Sequence, residues 1–375
     1  MRLSVGLVTS PIKEASVTPV SNYLAILSQF SDLYIITGNS ARELFNESKE
    51  KPNIHVCFVN YPIKSNVLTK IVLYMYGQLK YSYHVFRYSK SAEKWIFFTG
   101  GERMVLPMIL AHLLKKPVLL YIPGSAVRDA NFSKDSLSKP TEILSTITQN
   151  LADRIILYSL ALIPEWNLER HHHKILIAHE HFLDFNTFTV TTPLADRPPL
   201  IGYIGRLSGE KGVQHFAQAL PAILRDRQDL SVFIGGDGPL KESIEAALQE
   251  QGATARVDLP GWISHDDLPG YLNQLRLLVL PSYTEGLPNI MLEAMACGTP
   301  VLATPVGAIP DVIIDGKTGF IMENNSPECI AANVIRALSS PNLDRIAEDG
   351  RRFVEENFTF EKTVENWKGI LQNIK

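Results

Sequence analysis

The sequence predicts an α/β protein made of two doubly wound parallel-sheet domains. Three observations carry that expectation. Short apolar runs alternate with longer amphipathic segments, the signature of a parallel sheet covered by helices on both faces. The alternation stops once, at 190–199 (VTTPLADRPP), where proline and polar residues without periodicity read as a linker, and then restarts. The chain has 375 residues, enough for two cores of ordinary size.

In the first half, strands are expected at 3–8, 33–37, 54–59, 95–98, 117–121, 154–158 and 174–178. Helices are expected near 19–30, 65–90, 102–114, 140–151 and 160–170. After the break, strands are expected at 200–204, 230–235, 256–259, 277–280 and 301–303. Helices are expected at 212–224, 239–250, 266–275 and 327–338, the last with Ser326 as its cap and Pro327 at its first position. The terminal segment from 358 is amphipathic and contains Trp367. The domains expected are 1–190 with 355–375, and 196–354. In such sheets ligands bind beyond the carboxyl ends of the strands, and the cleft between two facing domains is the default place for a site.

Composition narrows the function. Net charge is −3, so nothing in the overall balance points to nucleic acid. The three cysteines are widely spaced and suggest neither a disulfide framework nor a metal site, which fits a reducing cytoplasm. The opening MRLSVGLVTSP reads as a first strand rather than a signal peptide. No apolar run approaches the roughly 18 residues of a membrane span.

Four consecutive strand ends in the second half carry distinctive residues. Gly205 to Gly212 (GRLSGEKG) follows a strand and opens a helix, with Arg206 and Lys211 bracketing glycines that let backbone N–H groups approach an anion. Gly235-Gly236-Asp237-Gly238 repeats the placement one strand later, with Asp237 read as the cap of the next helix. Trp262 and Ile263 form an apolar shelf after the following strand, suited to a nucleobase or to core packing. The fourth stretch, 280–307, holds Glu285 in a loop and Glu293 in a helix, with Gly286, Leu287, Pro288 and Asn289 between them. By itself this last stretch fits a capped helix as well as a ligand grip. No GxGxxG follows a strand, and the upstream glycine that a P-loop ending at Gly316-Lys317-Thr318 would need is Asp311, so dinucleotide and P-loop readings are rejected.

Together these four loops resemble the C-terminal domain of retaining GT-B glycosyltransferases of the GT4 family. The resemblance rests on E-x7-E at Glu285 and Glu293, G-R-x-x-x-x-K-G at 205–212, and Gly-Thr-Pro-Val at 298–301. It is strong over 200–322 and holds in outline over the first half. It implies a terminal helix that crosses back to the N-terminal domain and a hexose moved from a nucleotide-diphosphate sugar to a hydroxyl of a glycan or lipid-linked glycan. Arg206 and Lys211 would hold the donor diphosphate, Glu285 would face the transferred sugar and Glu293 would accept the ribose hydroxyls. Gly205, Gly236, Trp262, Ile263 and the N–H groups of 286–289 would complete the donor site. No metal or other cofactor is implied. Acceptor-side candidates are Ser10 and Lys13 in the loop after the first strand, and Gly124 and Ser125 after the fifth. Rival readings are a nucleotide-sugar-binding protein that has lost turnover and a GT-B epimerase that hydrolyses its nucleotide-sugar.

Two segments lie outside that scheme. Five histidines, His171, His172, His173, His179 and His181, fall within eleven residues. An exposed loop is expected there rather than a metal site. Residues 64–94 hold Lys64, Lys70, Lys80, Arg87, Lys90 and Lys94 against the single acid Glu93, with five tyrosines interleaved. This is a candidate peripheral membrane contact, or a solvated face over a core.

Overall fold

The structure, a computed structural model, describes residues 2–11, 17–38, 45, 52–60, 67–124 and 138–374. Lys13, Lys64 and Ser125 lie outside the described residues. The chain divides into two compact units, Met1–His181 with Phe360–Lys375, and Phe182–Thr359.

The first unit is a seven-stranded parallel sheet in the order β3-β2-β1-β4-β5-β6-β7. Its strands are β1 Leu3–Thr9, β2 Ser31–Gly38, β3 Ile54–Val59, β4 Lys94–Phe98, β5 Val118–Tyr121, β6 Arg154–Leu157 and β7 Ile175–Ile177. The central strands read as unbroken apolar runs because helices bury them on both faces. The helices are α1 Val17–Leu27, α2 Val67–Tyr88, α3 Val105–Leu113, α4 Ser138–Leu151 and the short α5 Leu162–Glu165. The last helix of the chain, Phe360–Asn373, belongs to this unit and packs beside α1. Its Trp367 is fully buried, with ring centroids 4.5 Å from Tyr23 and 5.1 Å from Tyr121. Such aromatic pairs add about 1 kcal/mol each beyond area burial.

The second unit is a six-stranded parallel sheet, β10-β9-β8-β11-β12-β13. Its strands are β8 Leu200–Ile204, β9 Ser231–Gly235, β10 Val257–Gly261, β11 Leu277–Leu280, β12 Val301–Ala303 and β13 Phe320–Ile321. Between them run α6 Val213–Asp226, α7 Lys241–Glu250, α8 Leu268–Leu272, α9 Asn289–Ala296, α10 Ile309–Val312 and α11 Pro327–Leu338, followed by α12 Leu343–Asn357. The terminal helix is therefore α13. Ser326 caps α11 as expected, accepting from the Cys329 N–H.

Several expectations need correction. The segment 190–199 is not a free linker, and the units change at 181/182 and 359/360 rather than at 190–196 and 354/355. Asn273 accepts from the Thr191 N–H at 2.8 Å and donates to the Thr189 carbonyl at 3.0 Å. Arg197, 3% exposed, donates to the carbonyls of Thr192, Leu272, Leu275 and Cys297 and to the Thr299 hydroxyl. The proline-rich composition conceals a strap that ends in a buried guanidinium, whose pKa burial lowers to about 10. The histidine segment is not a uniformly exposed loop either. His171, Glu180 and His181 are buried, and α13 covers the run through Trp367 Nε1 to the His179 carbonyl and Thr363 Oγ1 to the His181 carbonyl. Burial raises the pKa of the Glu180 carboxyl, which accepts from the hydroxyls of Tyr121 and Tyr158.

In the basic segment, Lys94 is not on the surface. It is 5% exposed and its Nζ donates to the carbonyls of Leu371 and Ile374, both at 2.7 Å, a cation at the carboxyl end of α13. Tyr81 is buried as well. Among the described residues no helix is long and apolar enough to cross a membrane.

Candidate donor-binding edge of the second unit

The strand ends β8, β9 and β10 are joined laterally beyond the sheet. Gly205 N–H donates to the Gly235 carbonyl at 3.0 Å, and Gly236 N–H donates to the Gly261 carbonyl at 2.7 Å. Gly236 has φ 134°, and a Cβ there would lie 1.9 Å from the Gly205 oxygen. Only glycine permits that approach. The next residues repeat the tie, with Leu207 N–H on the Asp237 carbonyl and Leu240 N–H on the Leu207 carbonyl, both at 2.9 Å. Asp237 is not the helix cap that the sequence suggests. It is three residues ahead of the cap residue Leu240, and its carboxylate accepts from its neighbour Gly238 N–H at 2.7 Å.

The cationic loop is fastened to β11. Residues Gly209–Lys211 make one 3-10 turn that ends at Gly212, φ 66°. A Cβ at Gly212 would lie 2.0 Å from the Pro281 carbonyl oxygen. Tyr283 N–H donates to the Glu210 carbonyl at 2.9 Å. This packing brings Lys211 to Glu285: Nζ lies 2.8 Å from both carboxylate oxygens. Ser282 Oγ donates to Glu285 Oε1 at 2.7 Å. An ammonium has three N–H bonds, so two spent on Glu285 leave one for a ligand. Arg206 is exposed and has no ion pair among the described residues. Its carbonyl accepts from Tyr203 OH at 2.7 Å. Burial, then the charges of Glu285 and Glu210, raise the pKa of that phenol, so it stays a neutral donor.

The loop after Glu285 leads into α9. Gly286 is held by Ala308 N–H on its carbonyl at 2.8 Å, while Leu287 and Pro288 are buried. Pro288 is the cap residue, one position earlier than the first turn, and no side chain caps the helix. The N–H groups at the start of α9 therefore face the Glu285 loop without a side-chain acceptor, which is the arrangement that receives an anion. Gly298, φ 66°, ends α9, with Thr299 N–H returning to the Ala294 carbonyl. Arg197 donates to the Cys297 carbonyl at 2.6 Å, so a buried cation braces the opposite pole of the helix that carries Glu293.

Glu293 is 8% exposed, and its partner is His265, whose Nε2 lies 3.2 Å from Oε1. The hydrogen bond to Glu293 raises the His265 pKa, so the pair is charge-assisted at mildly acidic pH. The ring of His265 also meets Phe188 edge-on, centroids 5.3 Å apart. Trp262, three residues before it, is 74% exposed, and Ile263 is half-buried against Gly235.

One strand-end edge thus assembles Gly205, Arg206, Lys211, Gly236, Trp262, Ile263, Glu285 to Asn289 and Glu293. Sequence reasoning missed three supporting groups. Ser282 is legible as Ser-x-x-Glu spacing to Glu285. His265 leaves no local signal, since it meets Glu293 across 28 positions, and Tyr203 reads only as a residue of the β8 strand.

The first unit has fewer of its candidates in view. Ser10 N–H donates to the Thr99 carbonyl at 2.9 Å, which places it beside the Gly100-Gly101 pair after β4. Gly124 is exposed. Among the described residues no cluster of His, Cys, Asp or Glu has metal-ligand geometry.

Two parallel-sheet units with the terminal helix returned to the first are the architecture of GT-B glycosyltransferases. Residues 184–353, which lie within the second unit, match the family Glycosyl transferases group 1. The chain is 30% identical over 212 residues to an alpha-D-kanosaminyltransferase of Streptomyces kanamyceticus, covering 55% of each chain. It is 31% identical over 155 residues to a GDP-mannose-dependent alpha-(1-6)-phosphatidylinositol monomannoside mannosyltransferase of Mycolicibacterium smegmatis, covering 40% of each. The chain therefore spans about half the length, or less, of these curated relatives. In fold it is similar to Anabaena HepE, solved in complex with UDP, with a TM-score of 0.78 at 15% identity and full coverage of both chains.

Proposed function

We propose that the protein is a metal-independent, retaining hexosyltransferase of the GT4 type, which uses a nucleotide-diphosphate sugar as donor and a hydroxyl of a glycan or lipid-linked glycan as acceptor. The observation that carries the reading is the Lys211–Glu285 pair beside the uncapped start of α9. As the bond from sugar to diphosphate breaks, negative charge builds on the β-phosphate. In this reading Arg206, Lys211 and the α9 N–H groups meet that developing charge, which would stabilise the transition state more than the ground state. Glu285, held by Lys211 and Ser282, presents its carboxylate to the sugar. Glu293 takes the ribose hydroxyls, and Trp262 with Ile263 supports the base. On the acceptor side, Ser10, Lys13, Gly124 and Ser125 remain the proposed contacts. A lipid-linked acceptor and a peripheral membrane contact, on the cytoplasmic face, are part of the same reading. The mycobacterial relative, whose name specifies a phosphatidylinositol-based acceptor, supports it.

The test is release of nucleoside diphosphate from UDP- and GDP-sugars. Slow release with water and faster release with acceptor is the expected result. Lys211→Ala should lower kcat by about a hundredfold or more, close to 3 kcal/mol of barrier. Binding without any release would favour a protein that has lost turnover.

A further inference from the structure

Helix α2 is apolar on the wrong side as well as the right one. Its inner face buries Gln78, Tyr81 and Val85. Its outer face carries Val72, Met75, Tyr76, Leu79, Tyr83 and Phe86, recurring at helical spacing and each between 45% and 65% exposed. A surface helix normally turns charged and polar groups outward. The neighbouring helices continue the pattern. α3 lies beside α2 and exposes Ile109 and Leu113, the latter by 74%. α4 lies beside α3 and exposes Ile143 by 61% and Ile147 by 38%. An apolar patch spread over three adjacent helices marks an interaction surface.

We propose that this three-helix face docks on an anionic lipid bilayer. The charges select that occupant. Neither α2 nor α3 contains an aspartate or glutamate, and Glu142 is the one acid within α4. The exposed cations Lys80 and Arg87 belong to α2 and Lys115 lies in the turn just after α3, with Lys80 placed 5.4 Å over the Tyr76 ring. Cations flanking an apolar stripe lower it into the headgroup region of an anionic leaflet. Tyr76 and Tyr83 suit that depth, with apolar rings and hydroxyls that reach water. A second copy of the chain fits less well, because two such faces would oppose like charges with only Glu142 from each to pair them. With no helix among the described residues long and apolar enough to span, the contact is interfacial. The inference deepens the peripheral-contact part of the proposed function and does not depend on the transfer chemistry.

The experiment is flotation of the full chain with phosphatidylcholine vesicles, with and without phosphatidylglycerol, at low and high salt. The native chain should float with the anionic vesicles at low salt and be released by salt or by omission of the anionic lipid. Lys80→Glu with Arg87→Glu should weaken partitioning by about fivefold or more per cation. Leu79→Ser with Phe86→Ser should weaken it by about tenfold or more. Both pairs are on the surface, and each variant should keep the native Tm and its rise with nucleoside diphosphate. Variants that float like the native chain would place the contact elsewhere and overturn this face while sparing peripheral binding. A native chain that does not float overturns both. A chain that self-associates through these residues without floating makes the occupant a second copy and also overturns the proposal. None of these outcomes changes the nucleotide response that tests the donor site.

Discussion

The two units share a parallel-sheet plan, yet they invest their strand ends differently. In the second unit, backbone joins backbone beyond the sheet: Gly205 on Gly235, Gly236 on Gly261, and Gly212 against Pro281. Charged side chains then stand on a rigid shelf, and Lys211 meets Glu285 with both oxygens at 2.8 Å. In the first unit the polar interior lies toward β7 and α13, where Glu180 accepts from two tyrosine hydroxyls and Lys94 closes a helix end. Its unusual surface is a helix face. The contrast teaches that fixed backbone geometry can hold charged side chains at one sheet edge, as the proposed donor site requires, whereas the first unit turns its polar groups to its own interior.

The sharpest way to break the comparison is to fill the glycine shelf. Gly236→Ala would drive a Cβ to 1.9 Å from a carbonyl oxygen at φ 134°, so β8 and β9 must part. The expected cost is about 3 kcal/mol or more, read from urea unfolding, together with loss of nucleotide binding. Arg197→Met comes next. It removes the guanidinium that now donates to the carbonyls of Thr192, Leu275 and Cys297. A loss of about 2–3 kcal/mol is expected, with weaker nucleotide binding because the brace on α9 is gone.

The smallest effect sharpens the role of His265. Its pKa is raised in the folded protein, first by the hydrogen bond to Glu293. The stabilisation is therefore fully present below the unfolded histidine value near 6.5 and is lost as the pH rises through the higher folded value. The stability difference between native protein and His265→Gln should shrink as the pH is raised from mildly acidic to mildly basic. A difference independent of pH would show that the charged pair does not form. KM for the donor should rise several-fold in the variant while kcat stays near the native value.

Much of this was legible beforehand because the relevant signals are local. Buried strands are apolar runs, and the loops between them carry Gly205 to Gly212 and Glu285 to Glu293 in fixed spacing. The failures have physical reasons. The helix α12 went unseen because LDRIAEDGRRFVEEN is mostly charged and contains a glycine. Its thin stripe of Leu343, Ile346, Ala347, Gly350 and Val354 is what packs, and Gly350 lies so close to the Thr318 carbonyl that a Cβ would come within 2.6 Å. The strand β13, Phe320–Ile321, is too short for any periodicity to show. Arg197 looked like linker charge because its five acceptors come from residues up to 102 positions away. His265 was missed for the same reason.

The central claim is that the strand-end edge of the second unit holds a nucleoside diphosphate, with Glu293 on the ribose. Isothermal titration of UDP and GDP into native protein and Glu293→Ala tests it most directly. The account predicts that one nucleotide binds the native chain and that the variant, still folded though with its Tm lowered by loss of the His265 pair, binds it at least about tenfold more weakly, in line with two hydrogen bonds to a charged acceptor. Equal affinity in the two proteins would contradict the assignment.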